Sequence, residues 1–168
     1  MDKKLEAAFN DQINKEYYSA YLYLAMKTAF AEMNLSGFVN WFDIQVQEEK
    51  AHAVGMYDYV LERGGHVELL AIDKPELNGK TPAEIFKQVV EHEKYVTSRI
   101  NAVYDVAEEL KDRAAMLFLN WYIKEQVEEE ASASEVLAKV ERLGDDVTAL
   151  LDLDKELAAR VFNPPIIK

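Results

Sequence analysis

The spacing of chain breaks is the feature of this sequence that most restricts its fold. The chain has only 6 Gly and 4 Pro, and most of them lie in a few clusters. Between the clusters, apolar residues recur at helical spacing and no alternating strand pattern is present. We therefore predict an all-α protein whose five helices span about residues 4–33, 36–63, 82–110, 114–143 and 146–161.

Individual residues mark the expected helix ends. Ser36 is a candidate N-cap for the second helix, which Gly64 should end. Thr81 and Glu84 have the spacing of a capping box at the start of the third helix. Gly144 should end the fourth helix, and a fifth apolar stripe then follows in Val147, Leu150, Leu151, Leu157 and Val161.

Connection lengths predict the topology. Short breaks make the first and second helices antiparallel neighbours, and likewise the third and fourth. The connection at about residues 64–81 is longer and, fully extended, reaches roughly 60 Å. Because the second helix spans only about 40 Å, this segment can cross the whole bundle. We expect one domain, residues 1–168, folded as a four-helix bundle with one long crossover and a short fifth helix.

Composition excludes several classes of function. With 19 basic and 31 acidic residues the net charge is −12, which repels nucleic acid and anionic membranes. Cysteine is absent, so disulfides and thiolate metal sites are excluded. No signal-like or membrane-spanning apolar run is present. We expect a cytoplasmic protein with no nucleic-acid partner and no membrane partner.

Polar residues interrupt the apolar stripe of each long helix near its middle. The second helix places Glu49 and His52, one turn apart, in a stripe of aromatic and aliphatic side chains. Corresponding positions in the other three helices hold Glu16, Glu93, Gln126 and Glu129. In an aligned bundle these points converge, so four carboxylates are expected to meet in the core.

The negative charges of four buried carboxylates must be neutralised or balanced. Burying one unpaired carboxylate costs several kcal/mol, and the four would also repel one another. Shared protons or bound cations could compensate, and no inward Lys or Arg occurs at these levels. Two divalent ions would balance the four charges. Ligands rich in carboxylate, with one imidazole and no thiolate, favour iron or manganese over structural zinc. There is no HExxH motif, which excludes a zincin protease.

Other candidate residues have weaker support. A lone Glu-x-x-His on a helix is usually a surface feature, so the predicted metal site requires polar residues from all four helices together. His66 in the crossover and His92 off the inner stripe are expected to be solvated. Tyr23 lies two turns after Glu16 on the same face, either as a core residue beside the centre or as a redox-active one.

At these residues the sequence resembles the prokaryotic non-haem ferritins. The resemblance covers nearly the whole chain and is carried by the segments NKEYYSAYLYL, QEEKAH, ERGGHVEL, EHEKYVT, WYIKEQVEEE and LDKEL. It implies a ferritin-like bundle in which Glu16, Glu49 and His52 bind one iron. Glu49 would bridge to a second iron held by Glu93, with Gln126 and Glu129 close by. The resemblance also implies a third, surface-facing iron position formed by Glu48, Glu125 and Glu128.

The resemblance further implies oxidation of Fe(II) with dioxygen or peroxide and storage of ferric mineral. The expected assembly is a homo-oligomeric cage of twenty-four subunits, with the fifth helix around fourfold axes. Lys50 stands where bacterioferritins have their haem-ligating methionine, so no haem is expected. The fourth helix has Gln126 to Glu129 where bacterioferritins and rubrerythrins repeat Glu-x-x-His. The second iron therefore lacks a histidine, as in ferritins through whose site iron passes.

Two alternatives stay open. The first is a di-iron oxidase or peroxidase of the rubrerythrin or bacterioferritin type that keeps its metals and forms no cage. The second is a cytokine-type bundle with an interaction role. That fold needs two crossovers and has no reason to carry inward carboxylates.

Overall fold

The computed structural model describes residues 1–167, and this part of the chain contains five α-helices and no strand. The helices are α1 (Lys3–Glu32), α2 (Ser36–Glu62), α3 (Pro82–Glu109), α4 (Arg113–Leu143) and α5 (Val147–Leu157). α1 packs along α2 and α3 packs along α4, while α1 also contacts α3. No helix in the described range is long and apolar enough to cross a membrane. The predicted bundle with one long crossover and a short fifth helix is confirmed.

Side chains of α1 and α3 hold the crossover against the bundle. The Asn10 amide donates to the carbonyl of His66, and its oxygen accepts the backbone N–H of Glu68. Asn14 donates to the carbonyl of Ala71, and Gln88 of α3 donates to the carbonyl of Glu76. Where α3 begins, Thr81 and Glu84 form the predicted capping box. These contacts satisfy backbone groups along a connection that has no secondary structure of its own.

The N-terminus of α2 differs from the prediction. Leu35 is its N-cap residue and no local side chain caps the helix, so the prediction that Ser36 acts as the N-cap is wrong. Asp154 of α5 caps α2 in place of Ser36. Its Oδ1 accepts hydrogen bonds from the backbone N–H groups of Gly37 (2.8 Å) and Phe38 (3.0 Å). A carboxylate at this position also complements the positive end of the helix dipole.

α5 rests on the start of α2 within the same chain. Its buried residues are Leu153, Asp154 and Leu157, whereas Val147 and Leu151 are exposed. The predicted apolar stripe is therefore buried within the subunit only in part, through Leu157 and the partly buried Leu150. α5 also ends at Leu157, earlier than predicted, where the Asn40 amide donates to the carbonyls of Leu157 (3.1 Å) and Arg160 (3.0 Å).

The core consists of two apolar clusters with polar residues between them. One cluster contains the aromatic side chains Phe30, Phe38, Phe42 and Phe86. The other contains Phe9, Met56, Tyr59, Phe118 and Tyr122. Such burial of aromatic and aliphatic surface is the main force that holds the four helices together. The rigid packing on both sides fixes the polar side chains that project between the clusters.

Candidate metal centre

The polar side chains between the two apolar clusters, here called the polar layer, include every residue predicted for the two-metal site. Glu16 of α1, Glu49 and His52 of α2, Glu93 of α3, and Gln126 and Glu129 of α4 are all buried. Even the most exposed of them, Glu129, has only 5% of its surface accessible. Each lies on the inward stripe of its helix, which is why the apolar period predicted their convergence. How these residues act on a metal stays a prediction.

Glu16, Glu49 and His52 form the tightest group of possible ligands. One atom from each lies within 4.8 Å of the other two. Nδ1 of His52 is 3.9 Å from Glu16 Oε2 and 3.8 Å from Glu49 Oε2, which is longer than a hydrogen bond. Those two carboxylate oxygens and Nε2 of His52 are buried without a hydrogen-bond partner in the described chain. Since unpaired buried polar atoms are costly, this donor set fits a bound cation.

Glu93 is held by two neighbours. The Tyr23 hydroxyl donates to its Oε1, and Gln126 Nε2 donates to its Oε2 at 3.2 Å. The Gln126 amide also donates to the hydroxyl of Thr97 and to the main-chain carbonyl of Glu93. Gln126 and Tyr23 therefore orient the Glu93 carboxylate. The structure places Tyr23 in direct contact with the centre.

Two further amides position carboxylates and were not identified as site residues from the sequence. Gln12 Nε2 donates to Glu16 Oε1 at 2.7 Å, one turn away on α1. Gln45 Nε2 donates to Glu129 Oε2 at 2.9 Å, from α2 to α4. Both glutamines are completely buried. The available signal was a polar residue one turn before Glu16 and one turn before Glu49.

Burial and neighbouring negative charges raise the pKa values of Glu49 and Glu93. Burial raises the pKa of Glu49 well above its ordinary value, and the charges of Glu93, Glu16 and Glu129 act in the same direction. Burial, followed by the charge of Glu129, raises the pKa of Glu93 to about 8 despite the hydrogen bonds from Tyr23 and Gln126. Without a cation, Glu93 therefore holds a proton at neutral pH, and protonation of Glu49 is also favoured. A divalent cation would displace the protons and take their place.

The acids predicted for a third iron position are arranged differently. The structure groups Glu125 with His52 and Glu129, within 4.8 Å of one another, and not with Glu48 and Glu128. Glu48 instead forms an ion pair with Arg160, whose Nη2 lies 2.7 Å from Glu48 Oε2. Glu128 is exposed. The third position stays a prediction, and Arg160 is a neighbour that the helix stripes could not indicate.

The other histidines have different environments. His66 is exposed, as predicted. His92 is only partly accessible, so the prediction that it is solvated is wrong. Its ring packs against Tyr23 with centroids 5.7 Å apart, and its Nε2 lies 2.8 Å from the hydroxyl of Ser19. Burial lowers the pKa of His92 to about 4, and a neutral ring therefore lies beside the Tyr23–Glu93 pair.

Comparison with known proteins agrees with this geometry. The ferritin-like domain family matches residues 6–143. The bacterial non-heme ferritins of Staphylococcus aureus (strain USA300) and Staphylococcus haemolyticus (strain JCSC1435) are 38% and 39% identical over 163 residues, 97% of this chain and 98% of each relative. The open pore ferritin of the archaeon Archaeoglobus fulgidus is 48% identical with a TM-score of 0.94, covering 96% of this chain and 99% of that one. A closed form of that ferritin, made by site-directed mutagenesis, has a TM-score of 0.95 at 48% identity, covering 97% of this chain and 99% of that one. The chain belongs to the ferritin family.

Proposed function

We propose that this protein oxidises Fe(II) at a two-iron centre inside each subunit and stores the ferric product within a cage of many subunits. The observation that carries the proposal is the convergence of four buried carboxylates and one imidazole from four helices. Three atoms of this group, on Glu16, Glu49 and His52, are buried and unpaired, which supports a bound cation.

The donor set supports iron as the substrate. Its ligand atoms are carboxylate oxygens with one imidazole nitrogen, a combination that suits iron or manganese. The relatives named non-heme ferritins favour iron between these two. Carboxylates stabilise Fe(III) more than Fe(II), so the ligands themselves favour oxidation. Lys50 offers no thioether to a haem, and haem has no role in the proposal.

Each residue has a distinct role in this proposal. Glu16, Glu49 and His52 hold the first Fe(II). Glu49 is shared with the second Fe(II), which Glu93 holds with Glu129. Gln126 and Tyr23 keep the Glu93 carboxylate oriented through their hydrogen bonds. Glu48 of α2, together with Glu125 and Glu128 of α4, would form an additional iron position only if Glu48 turned away from its ion pair with Arg160.

The reaction balances with one oxidant for each pair of iron ions. Two Fe(II) ions give two electrons to dioxygen, which takes up two protons and leaves as hydrogen peroxide. With peroxide as the oxidant, two Fe(II) ions and two protons yield two water molecules. Glu93, whose pKa is raised to about 8, releases its proton when iron binds, and the raised pKa of Glu49 acts in the same direction.

Exposed apolar side chains support assembly into an oligomer. Leu69, Leu70 and Ile72 of the crossover are exposed in the single chain. Val147 and Leu151 are exposed on α5, and Val161 is exposed just beyond it. Apolar surface of this kind commonly marks contacts between subunits. The proposed assembly is a homo-oligomeric cage of twenty-four subunits.

The alternative is a di-iron oxidase of the rubrerythrin or bacterioferritin type that forms no cage and keeps its metals. It is disfavoured because Glu129 stands where the Glu-x-x-His repeat of that type has the second histidine, which would hold a fixed iron ion. A discrete enzyme would also be a dimer or a similarly small particle, with no interior for mineral.

Particle mass before and after aerobic loading with ferrous salt tests the proposal. A large hollow particle should gain mass while keeping its outer size, and absorbance of the ferric product should rise rapidly. Glu49→Ala and Glu93→Ala should abolish the rapid phase, whereas Glu91→Ala, at an exposed position on α3, should retain it. Rapid oxidation in both site variants, or a small particle that gains no iron, would contradict the proposal.

A further inference from the structure

The segment that follows α5 reaches back to the metal centre through Arg160. The Arg160 guanidinium lies over the Trp41 ring, 5.0 Å from its centroid. Nη2 donates to Glu48 Oε2 at 2.7 Å, and Nη1 donates to Gln45 Oε1. The main-chain carbonyl of Arg160 accepts a hydrogen bond from Asn40 at 3.0 Å. The orientation of the guanidinium is therefore fixed on several sides.

Gln45 links Arg160 to the carboxylates of the proposed metal centre. Its Nε2 donates to Glu129 Oε2 at 2.9 Å, so one amide joins Arg160 to a buried carboxylate. A guanidinium has only donors, and the amide must therefore present its oxygen to Arg160. That leaves only the NH2 group to face Glu129. The positive charge also polarises the amide and strengthens its donation to the carboxylate.

We propose that Arg160 is a positioning residue for the metal centre, acting through Gln45 on the Glu129 carboxylate. The inference rests on the proposed two-metal function. It adds a residue outside the four bundle helices, on a segment that no helix stripe connects to the site. Outer hydrogen bonds of this kind hold ligands in the orientation that a metal requires, and their loss commonly weakens metal binding.

Binding of Zn(II), which does not change oxidation state, provides the direct test. In Arg160→Met and in Gln45→Met, the dissociation constant for Zn(II) should rise about tenfold with an unchanged number of ions per subunit. Arg142→Met is the matched control, because it removes one exposed positive charge near the end of α4. The control should bind Zn(II) as the parent does. Titration calorimetry gives both quantities.

The double variant Arg160→Met with Gln45→Met tests the connection between the two residues. If both residues act through one contact, the double variant should lose about tenfold in Zn(II) affinity, as each single variant does, instead of the product of the two single losses. Fully additive losses would overturn the proposal. Oxidation kinetics supply a second readout, since a positioning role should raise KM for Fe(II) more than it lowers kcat.

The remaining outcomes separate this proposal from the function on which it rests. If Arg160→Met behaves like Arg142→Met while Glu49→Ala loses Zn(II) binding, the positioning role is overturned and the metal centre stands. If Arg160→Met binds fewer ions at unchanged affinity, its role is structural and the proposal also falls. If the parent binds no Zn(II), the metal centre itself is wrong. Should Arg160→Met fail to fold, Gln45→Met decides, because it leaves the Arg160–Glu48 pair in place.

Discussion

The Tyr23 hydroxyl on α1 donates a hydrogen bond to the Glu93 carboxylate on α3. Burial raises the pKa of Tyr23 well above its ordinary value, and the charges of Glu93 and Glu49 add to the effect. The phenol therefore stays protonated and remains a donor. Because this bond favours the ionised form of Glu93, it opposes the burial that keeps that carboxyl protonated. Tyr23 thus favours the ionised form of Glu93, which is the form that the proposed metal binding requires.

Replacing Tyr23 with phenylalanine should remove the hydrogen bond to Glu93 without leaving a large cavity. We expect Zn(II) affinity to fall by about tenfold and the free energy of unfolding of the metal-free protein to fall by about 1 kcal/mol. Titration calorimetry and urea denaturation measure the two effects. Tyr122→Phe is the control, since that buried hydroxyl donates to the main-chain carbonyl of His52 and to no carboxylate. An equal loss of affinity in both variants would contradict a specific role for Tyr23.

The stability of the metal-free protein should decrease with rising pH between about 6.5 and 8. The pKa of Glu93 is raised from 4.5 to about 8, so within this range the folded state holds a proton that the unfolded state releases. His92 acts in the opposite direction, but because its pKa is lowered from 6.5 to about 4, most of its contribution is gained below pH 6.5 and only a small remainder offsets that of Glu93 above it. Urea denaturation of chelator-treated protein across this range tests the sign. Stability that rises with pH there would show that Glu93 is ionised in the folded state.

Glu93→Gln should stabilise the metal-free protein while abolishing rapid oxidation of Fe(II). At pH 7 the folded wild-type protein must hold a proton on Glu93, and the amide avoids that requirement, so the expected gain is about 2–3 kcal/mol. The decline in stability between pH 6.5 and 8 should also become shallower. Glu91→Gln, on the exposed face of the same helix, should change neither property. A destabilised Glu93→Gln variant would indicate that Glu93 does not hold a proton in the folded, metal-free protein.

Residues on the helix stripes could be predicted because burial and function share one period. Glu16, Glu49 and Glu93 occupy positions where the apolar stripe requires a core residue, so each was conspicuous as an exception. Convergence then followed from the antiparallel pairing that short loops impose. For this reason, both the topology and the polar layer could be predicted from the sequence.

Contacts from outside the four bundle helices could not be predicted in this way. Asp154 caps α2 and Arg160 reaches Gln45 because α5 folds back onto the start of α2. Neither interaction has a period or a short sequence separation. His92 is partly buried because Tyr18 and Tyr23 pack against its ring, although its position lies off the inner stripe. Packing between elements, and not local pattern, determines all three.

Asp154→Ala should destabilise the protein by removing the only side-chain cap that the described chain provides at the start of α2. The expected loss in free energy of unfolding is about 1–2 kcal/mol, since two main-chain N–H groups lose their acceptor. Asp154→Asn keeps an acceptor oxygen and should lose less. Asp152→Ala, at an exposed position on the same helix, is the matched control. A loss of equal size in the control would rule out capping as the cause.

Gly37→Ala should separate α5 from the bundle and weaken the metal centre as a consequence. A Cβ at this position would lie 1.6 Å from the main-chain oxygen of Asp154, and no side-chain rotation can relieve a clash with backbone. We expect the free energy of unfolding to fall by about 3 kcal/mol or more, exceeding the effect of Asp154→Ala. Because movement of α5 also withdraws Arg160 from Gln45, Zn(II) affinity should fall about tenfold, as in Arg160→Met. Ser36→Ala is the neighbouring control and should change neither quantity, since the Ser36 side chain does not cap α2. A Gly37→Ala protein that is destabilised but binds Zn(II) as tightly as the parent would show that the position of α5 does not influence the centre.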